Sequence, residues 1–128
     1  MATITPTWAA SSQIEGTGDG YTTLSGVTEE YSASVDMTGS DAAHVIVEVN
    51  FDATPTDDVQ VNVYGSLDGT NFDDVPLYSI IIDNGTDPSQ ITIAIEGLVY
   101  ARIGCVQTGS TDSHDVRAYV RTRSWSSV

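Results

Sequence analysis

The strongest order in the chain is an alternation of β-branched and polar residues that sets in after residue 40. In "HVIVEVNFD", Val45, Val47, Val49 and Phe51 alternate with His44, Ile46, Glu48 and Asn50; in "DVQVNVYG", Val59, Val61 and Val63 alternate with Gln60, Asn62 and Tyr64. A period of two places each set on one face of a half-buried strand. The connector "ATPTD" has the proline and short polar residues of a hairpin loop. Matching core face to core face then sets Val49 near Val61 and Val47 near Val63, because a one-residue slip would expose the whole set. Further strands are predicted at "LYSIII" (77–82), "QITIAIE" (90–96, with Ile91, Ile93 and Ile95 on one face), "LVYARIGCVQ" (98–107) and "DVRAYVRTR" (115–123). An earlier strand is predicted around "EEYSASVDM" (29–37) and a weaker one at "TITPTW" (3–8). The polar stretches "DNGTDPS" and "TGSTDSH" read as turns. No segment has the 3.6-residue period of a helix. Six to eight short strands predict an all-β fold, an antiparallel β-sandwich or jelly roll.

A chain of 128 residues fits one domain with a core of its own. Residues 9–27, "AASSQIEGTGDGYTTLSGV", are rich in Gly, Ser and Thr, so the division expected is an arm or extended segment at 1–27 and a β-sandwich at 28–128. No apolar run approaches the roughly 18–20 residues of a membrane-spanning helix. The N-terminal "MATITPTWAASSQ" has neither the basic nor the apolar region of a secretion signal, and the single cysteine, Cys105, cannot make an internal disulfide. Both fit synthesis in a reducing cytoplasm.

Charge sharpens the picture. Eighteen acids face four basic residues, all arginine, for a net charge of −14. Residues 1–100 carry sixteen of the acids and no Lys or Arg, while Arg102, Arg117, Arg121 and Arg123 crowd the last 28 residues. Such a body repels phosphate backbones and anionic lipids, so neither nucleic acid nor a membrane is an expected partner.

Candidate chemistry is thin. Asp68-Gly69 with Asp73-Asp74 lacks the alternate ligand spacing and closing Glu of an EF-hand and reads as a tight turn, because Asp-Gly tolerates positive φ. Ser113-His114-Asp115 are consecutive, whereas a catalytic triad is assembled from separate positions. Cys105 shares its strand face with Val99, Ala101 and Ile103, as a buried hydrophobe would. Two histidines and one cysteine give no zinc spacing, and Gly16-Thr17-Gly18-Asp19-Gly20 lacks the lysine of a phosphate loop. No catalytic residue, metal or cofactor is expected.

One surface feature stands out. Tyr100 and Arg102 lie opposite the apolar face of one strand; Arg117, Tyr119, Arg121 and Arg123 lie opposite that of the next. A hairpin of the two would set Arg102 near Tyr119 and Tyr100 near Arg121, a chequered Tyr/Arg face of the kind enriched at interfaces. A basic face on an acidic body also suggests contact between identical subunits. Trp125 and Trp8 are further candidate anchors.

The runs "VYGSLDGTNFDDVP" and "GLVYARIGCVQTGSTDSHDVRAYVRTR" resemble the C-terminal half of small β-rich virion proteins of tailed bacteriophages. There an S-x-D-G turn with a nearby aromatic precedes G-x-x-Y-x-R and a final hairpin. The matching residues are Ser66, Asp68, Gly69 and Phe72, then Gly97, Tyr100 and Arg102, with Phe72 where tryptophan is more usual. The resemblance spans roughly residues 60–123. Within that group, head decoration (cement) proteins are similar in size, acidity and lack of catalytic residues. The resemblance therefore implies a non-enzymatic protein on the outside of a capsid, made in the host cytoplasm. Its implied partners are the major capsid protein and further copies of itself, often as trimers. The alternatives are a tail, neck or adaptor protein, or a carbohydrate- or receptor-binding module on a virion appendage, with Trp8, Tyr21, Tyr64, Phe72 and Tyr78 as stacking surfaces. A hydrolase ranks last.

Overall fold

The computed structural model describes residues 3–7, 21–39, 42–85 and 89–126, with the backbone alone at 3–7 and 120–126. Among them the chain is all-β, with strand segments β1 (Thr3–Thr7), β2 (Thr22–Thr23), β3 (Glu30–Tyr31), β4 (Val35–Asp36), β5 (Ala42–Asn50), β6 (Val59–Ser66), β7 (Tyr78–Ile82), β8 (Ser89–Glu96), β9 (Tyr100–Gln107) and β10 (Asp115–Ser126). One sheet has the order β1-β10-β5-β8, with β2 also on β10; the other has β3-β9-β6-β7, with β4 also on β9. Every pairing is antiparallel.

The alternating residues form the filling of this sandwich. Val45, Val47 and Val49 from one sheet meet Val59, Val61, Val63, Ala101, Ile103 and Cys105 from the other, all of them fully buried. Each valine or isoleucine hidden this way contributes roughly 1.5–3 kcal/mol. Ile93 and Ile95 are buried and Ile91 packs at the margin, as the period of two requires.

Two expected hairpins are absent. β5 pairs with β10 and β8, and β6 with β9 and β7. Val49 and Val61 therefore belong to opposite sheets instead of adjacent strands. The same holds for β9 and β10. Alternation dictates which face of a strand is buried, and two strands can bury matching faces by opposing each other across a core as well as by lying side by side. Here the connectors 51–58 and 108–114 pass from one sheet to the other. The expected strand at 29–37 is broken into β3 and β4 where Ser32 turns inward: its hydroxyl takes the place of a ladder carbonyl, accepting the Ile103 N–H at 2.9 Å, while its own N–H donates to the Ile103 carbonyl at 2.8 Å. Of the segment read as an arm, residues 21–27 supply Leu24, fully buried in the core and donating its N–H to the His114 carbonyl at 2.8 Å. Trp8 and the glycine-rich residues 16–20 lie outside the described residues.

The crossing connectors are tied together by side chains. Asp112 Oδ2 accepts the N–H groups of Thr56 and Asp57, each at 2.6 Å, and Asp57 Oδ2 accepts those of Thr111 and Asp112, each at 2.9 Å. Fully buried His114 stands between the loops. Its Nδ1 accepts the Asp52 N–H at 3.0 Å, so the proton sits on Nε2, 2.8 Å from the Asp57 carbonyl. Gln107, also buried, accepts the His114 N–H at 2.7 Å and donates to the carbonyls of Asp112 and Gly26 at 2.7 and 3.0 Å.

The amides of Asp57 and then Thr56 hold the Asp112 carboxyl below the usual aspartate range. A carboxyl whose folded-state pKa is depressed adds stability above its unfolded pKa and loses it as pH falls through the folded one. The thermal midpoint should therefore decline as the pH drops below about 4. It should decline less in Asp112→Asn, which starts lower at neutral pH. Parallel midpoint-against-pH curves for parent and variant would show that this clasp does not set acid sensitivity.

Candidate docking surface

The turn after β6 is built by its own side chains. Asp68 Oδ1 accepts the N–H groups of Thr70 and Asn71, each at 2.8 Å, and Ser66 Oγ accepts that of Gly69 at 3.0 Å. The Asn71 and Thr70 amides hold the Asp68 carboxyl well below its ordinary range. Gly69 has a φ of +78° and leaves room for a ring, since a Cβ there would come within 3.0 Å of Tyr100. The loop is a turn, with Asp73 and Asp74 exposed beyond it.

This turn lays Phe72 over Arg102. The guanidinium carbon is 4.6 Å from the Phe72 ring centre, 3.9 Å from Tyr31 and 5.6 Å from Tyr64. Each such cation–π contact is worth about 0.5–1 kcal/mol at an exposed site. The two segments that carry the resemblance therefore touch at two points, Gly69 on Tyr100 and Phe72 on Arg102. Glu29 lies beside the stack over Gly104, taking the Tyr64 hydroxyl at 2.7 and 2.9 Å and Asn62 Nδ2 at 3.0 Å. Burial first, then this bond to Glu29, pushes the Tyr64 hydroxyl above the ordinary tyrosine range. Arg102 has no ion pair among the described residues, and its Nε is buried without a partner.

The expected chequered face does not form. Tyr100 and Arg102 sit on the outer side of one sheet, opposite Ser66 and Tyr64 of β6. Arg117 and Tyr119 sit on the outer side of the other, opposite Glu48 and Ile46 of β5. Arg117 pairs with Glu48 and stacks 4.3 Å from Tyr21 and 5.2 Å from Tyr119. Arg121, Arg123 and Trp125 continue β10, opposite His44, Ala42 and Ile4 respectively. Ala101, Ile103 and Cys105 of β9 and Val116 and Ala118 of β10 face inward as expected, whereas Val99, expected on the same inner face, is exposed just before β9 begins; the outer faces of the two strands point away from each other because the sheets differ.

Behind the turn lies an apolar groove of about 430 Å³. Leu67, Leu77, Leu98 and Val99 line it, with Asp68 and Asp73 at its rim. Leu67 is 86% exposed, and Val75 nearby is 74% exposed. A second, polar cleft of about 350 Å³ on the other sheet is lined by Tyr21, Glu48, Asn50, Ser89, Gln90 and Arg117. As site residues, sequence reasoning passed over Glu29 and Tyr31, from a loop and a two-residue strand, and the groove leucines: Leu67 lies in a turn, and Leu77 and Leu98 head expected strands without marking a groove.

The remaining reactive residues are engaged in structure. Burial pushes the Cys105 thiol up to about 12, with the Glu29 charge adding to it. Asp52, Asp112 and His114 bring ligand-type atoms within 4.8 Å of one another, but their lone pairs already take the backbone N–H groups that close the loops, including Ser113 N–H on Asp52 at 2.7 Å. A cation there would have to displace those bonds.

No protein-family model matches the chain, and no curated protein matches it in sequence. Solved structures do match in shape. A subunit of the disulfide-linked pili that form Bacillus endospore appendages aligns over 97% of this chain and 91% of its own, at 14% identity and a TM-score of 0.52. The xylan-binding CBM22-1 domain of Paenibacillus barcinonensis Xyn10C aligns over 88% and 92%, at 10% identity and a TM-score of 0.50. At these identities the likeness establishes the β-sandwich fold.

Gly104 gives a direct test of the outer-face cluster. A Cβ there would run into Glu29 Oε2, so Gly104→Ala should displace Glu29 and cost about 1–3 kcal/mol through the hydrogen-bonding groups left unpaired. Glu29→Ala removes the same acceptor, so the double variant should cost clearly less than the sum of the two single changes in a double-mutant cycle followed by denaturant unfolding. Strict additivity would mean that Gly104 and Glu29 act independently.

Proposed function

We propose that the chain is a non-enzymatic structural module that docks on the outside of a larger protein lattice. In its specific form this is a decoration protein on a bacteriophage capsid. The observation that supports this is the exposed apolar groove of Leu67, Leu77, Leu98 and Val99 on a body otherwise heavily acidic. Exposed apolar surface rimmed by polar groups marks a contact site, and an interface of this kind has an apolar centre and a charged margin. Asp68, Asp73 and Asp74 at the margin would face basic residues of the capsid protein and speed encounter at low salt. Docking would add buried area between neighbouring capsid subunits, which opposes the internal pressure of a packed head.

A second reading, a carbohydrate-binding module, is favoured by one observation. The polar cleft sets Tyr21 beside the hydrogen-bonding groups of Glu48, Asn50, Gln90 and Arg117, and one of the structural neighbours is a xylan-binding domain.

Purified protein mixed with undecorated capsids should sediment with them and raise their resistance to heat. Leu67→Asp and Val99→Asp should weaken that binding at least tenfold while leaving the circular dichroism spectrum unchanged. Capsids that neither carry the protein down nor gain heat resistance would overturn the proposal. On a glycan array the parent should give no selective signal. A signal abolished by Tyr21→Ala would favour the second reading instead.

A further inference from the structure

Among the described residues, β7 lies at an edge of the β3-β9-β6-β7 sheet: it pairs on one side with β6 and has no strand on the other. Its neighbourhood, Leu77–Ile82, reads "LYSIII" and contains no charge and no proline. Leu77, Tyr78, Ile80 and Ile81 are all exposed, and Ile82 alone is buried. Sheet edges are usually guarded by brevity, proline or charge, because unpaired backbone groups invite another strand. The other edges here carry such guards: β1 contains Pro6, β3 and β4 are two residues each, and β8 shows Gln90, Thr92 and Glu96 on its outer side. β7 has none.

We propose that β7 pairs with β7 of a second copy of this chain, joining two sheets into one across a two-fold axis. The sequence fits that occupant. An antiparallel register centred on Ile80 uses every residue of the strand, setting Ile80 against Ile80, Tyr78 against Ile82 and Ser79 against Ile81. A two-fold axis perpendicular to the sheet keeps inner faces with inner faces, so the apolar sides run on from one copy to the next. Charge selects the same place. Two bodies of −14 repel each other across most of their surface, but in this register Leu77 faces Asp83 and no carboxylate opposes another between residues 77 and 83. The contact lies along the strand edge and reaches the groove only at Leu77, and it does not depend on the proposed docking partner.

Sedimentation equilibrium of the full chain should show a monomer–dimer equilibrium that shifts toward dimer in 0.5 M salt, where repulsion between copies is screened. Ile81→Lys, on the exposed outer side of the strand, should give a monomer with an unchanged thermal midpoint. Ile80→Cys should form a disulfide-linked dimer on mild oxidation, whereas Gln90→Cys on the edge of β8 should not. A parent that stays monomeric at every concentration and salt, or an Ile81→Lys variant that remains dimeric, would overturn the proposal.

Discussion

Two aspartates on two loops each accept hydrogen bonds from the backbone of the other's loop, and this reciprocal clasp between Asp57 and Asp112 is what lets the chain change sheets. A connector that crosses the end of a sandwich takes its amides out of water and away from any strand partner, and a buried N–H without an acceptor costs about 1–3 kcal/mol. An ionised carboxylate solves this because it accepts several N–H bonds at once and makes strong ones. His114 and Gln107 complete the closure with side chains that both donate and accept. This polar corner holds the connector that carries the chain from β5 in one sheet to β6 in the other, where their valines share a core.

The same use of aspartate accounts for much of the charge. Asp36, Asp52, Asp58, Asp68 and Asp83 each receive a loop N–H as well, from Thr38, Ser113, Asn84, Thr70 and Gly85 among others. The acids are spent on loop amides in place of ion pairs, so few arginines are needed. Those whose side chains are described serve other ends: Arg117 pairs with Glu48, and Arg102 is a flat stacking surface between Tyr31 and Phe72.

Much of the fold was legible in the residues. Alternation marked Val45–Val49 and Val59–Val63 as inner faces, and Asp68-Gly69 marked a turn. Strand neighbours were not legible, because a period of two reports burial and says nothing about which strand lies alongside. Both hairpins inferred from short polar connectors failed for that reason, and the Tyr/Arg face inferred from one of them split between sheets. What distinguishes a crossing loop from a hairpin here is a set of long-range bonds, such as Thr56 to Asp112, whose partners are far apart in the chain. His114, read as part of a polar turn, proved to be a buried bridge. The groove was hidden for a different cause. Leu67 is an isolated apolar residue in a loop, Val99 continues the alternation of the next strand as if it were a core position, and only folding brings the two to one end of the molecule.

The strands run between two unlike ends. At one, the connectors 51–58 and 108–114 are locked to each other; at the other, the 66–76 turn and the 97–99 link stand free of that network. Rewriting residues 67–75 would therefore leave every bond of the locked end untouched. That loop is a natural graft point: a foreign peptide could be displayed there on a frame whose foldedness is decided elsewhere.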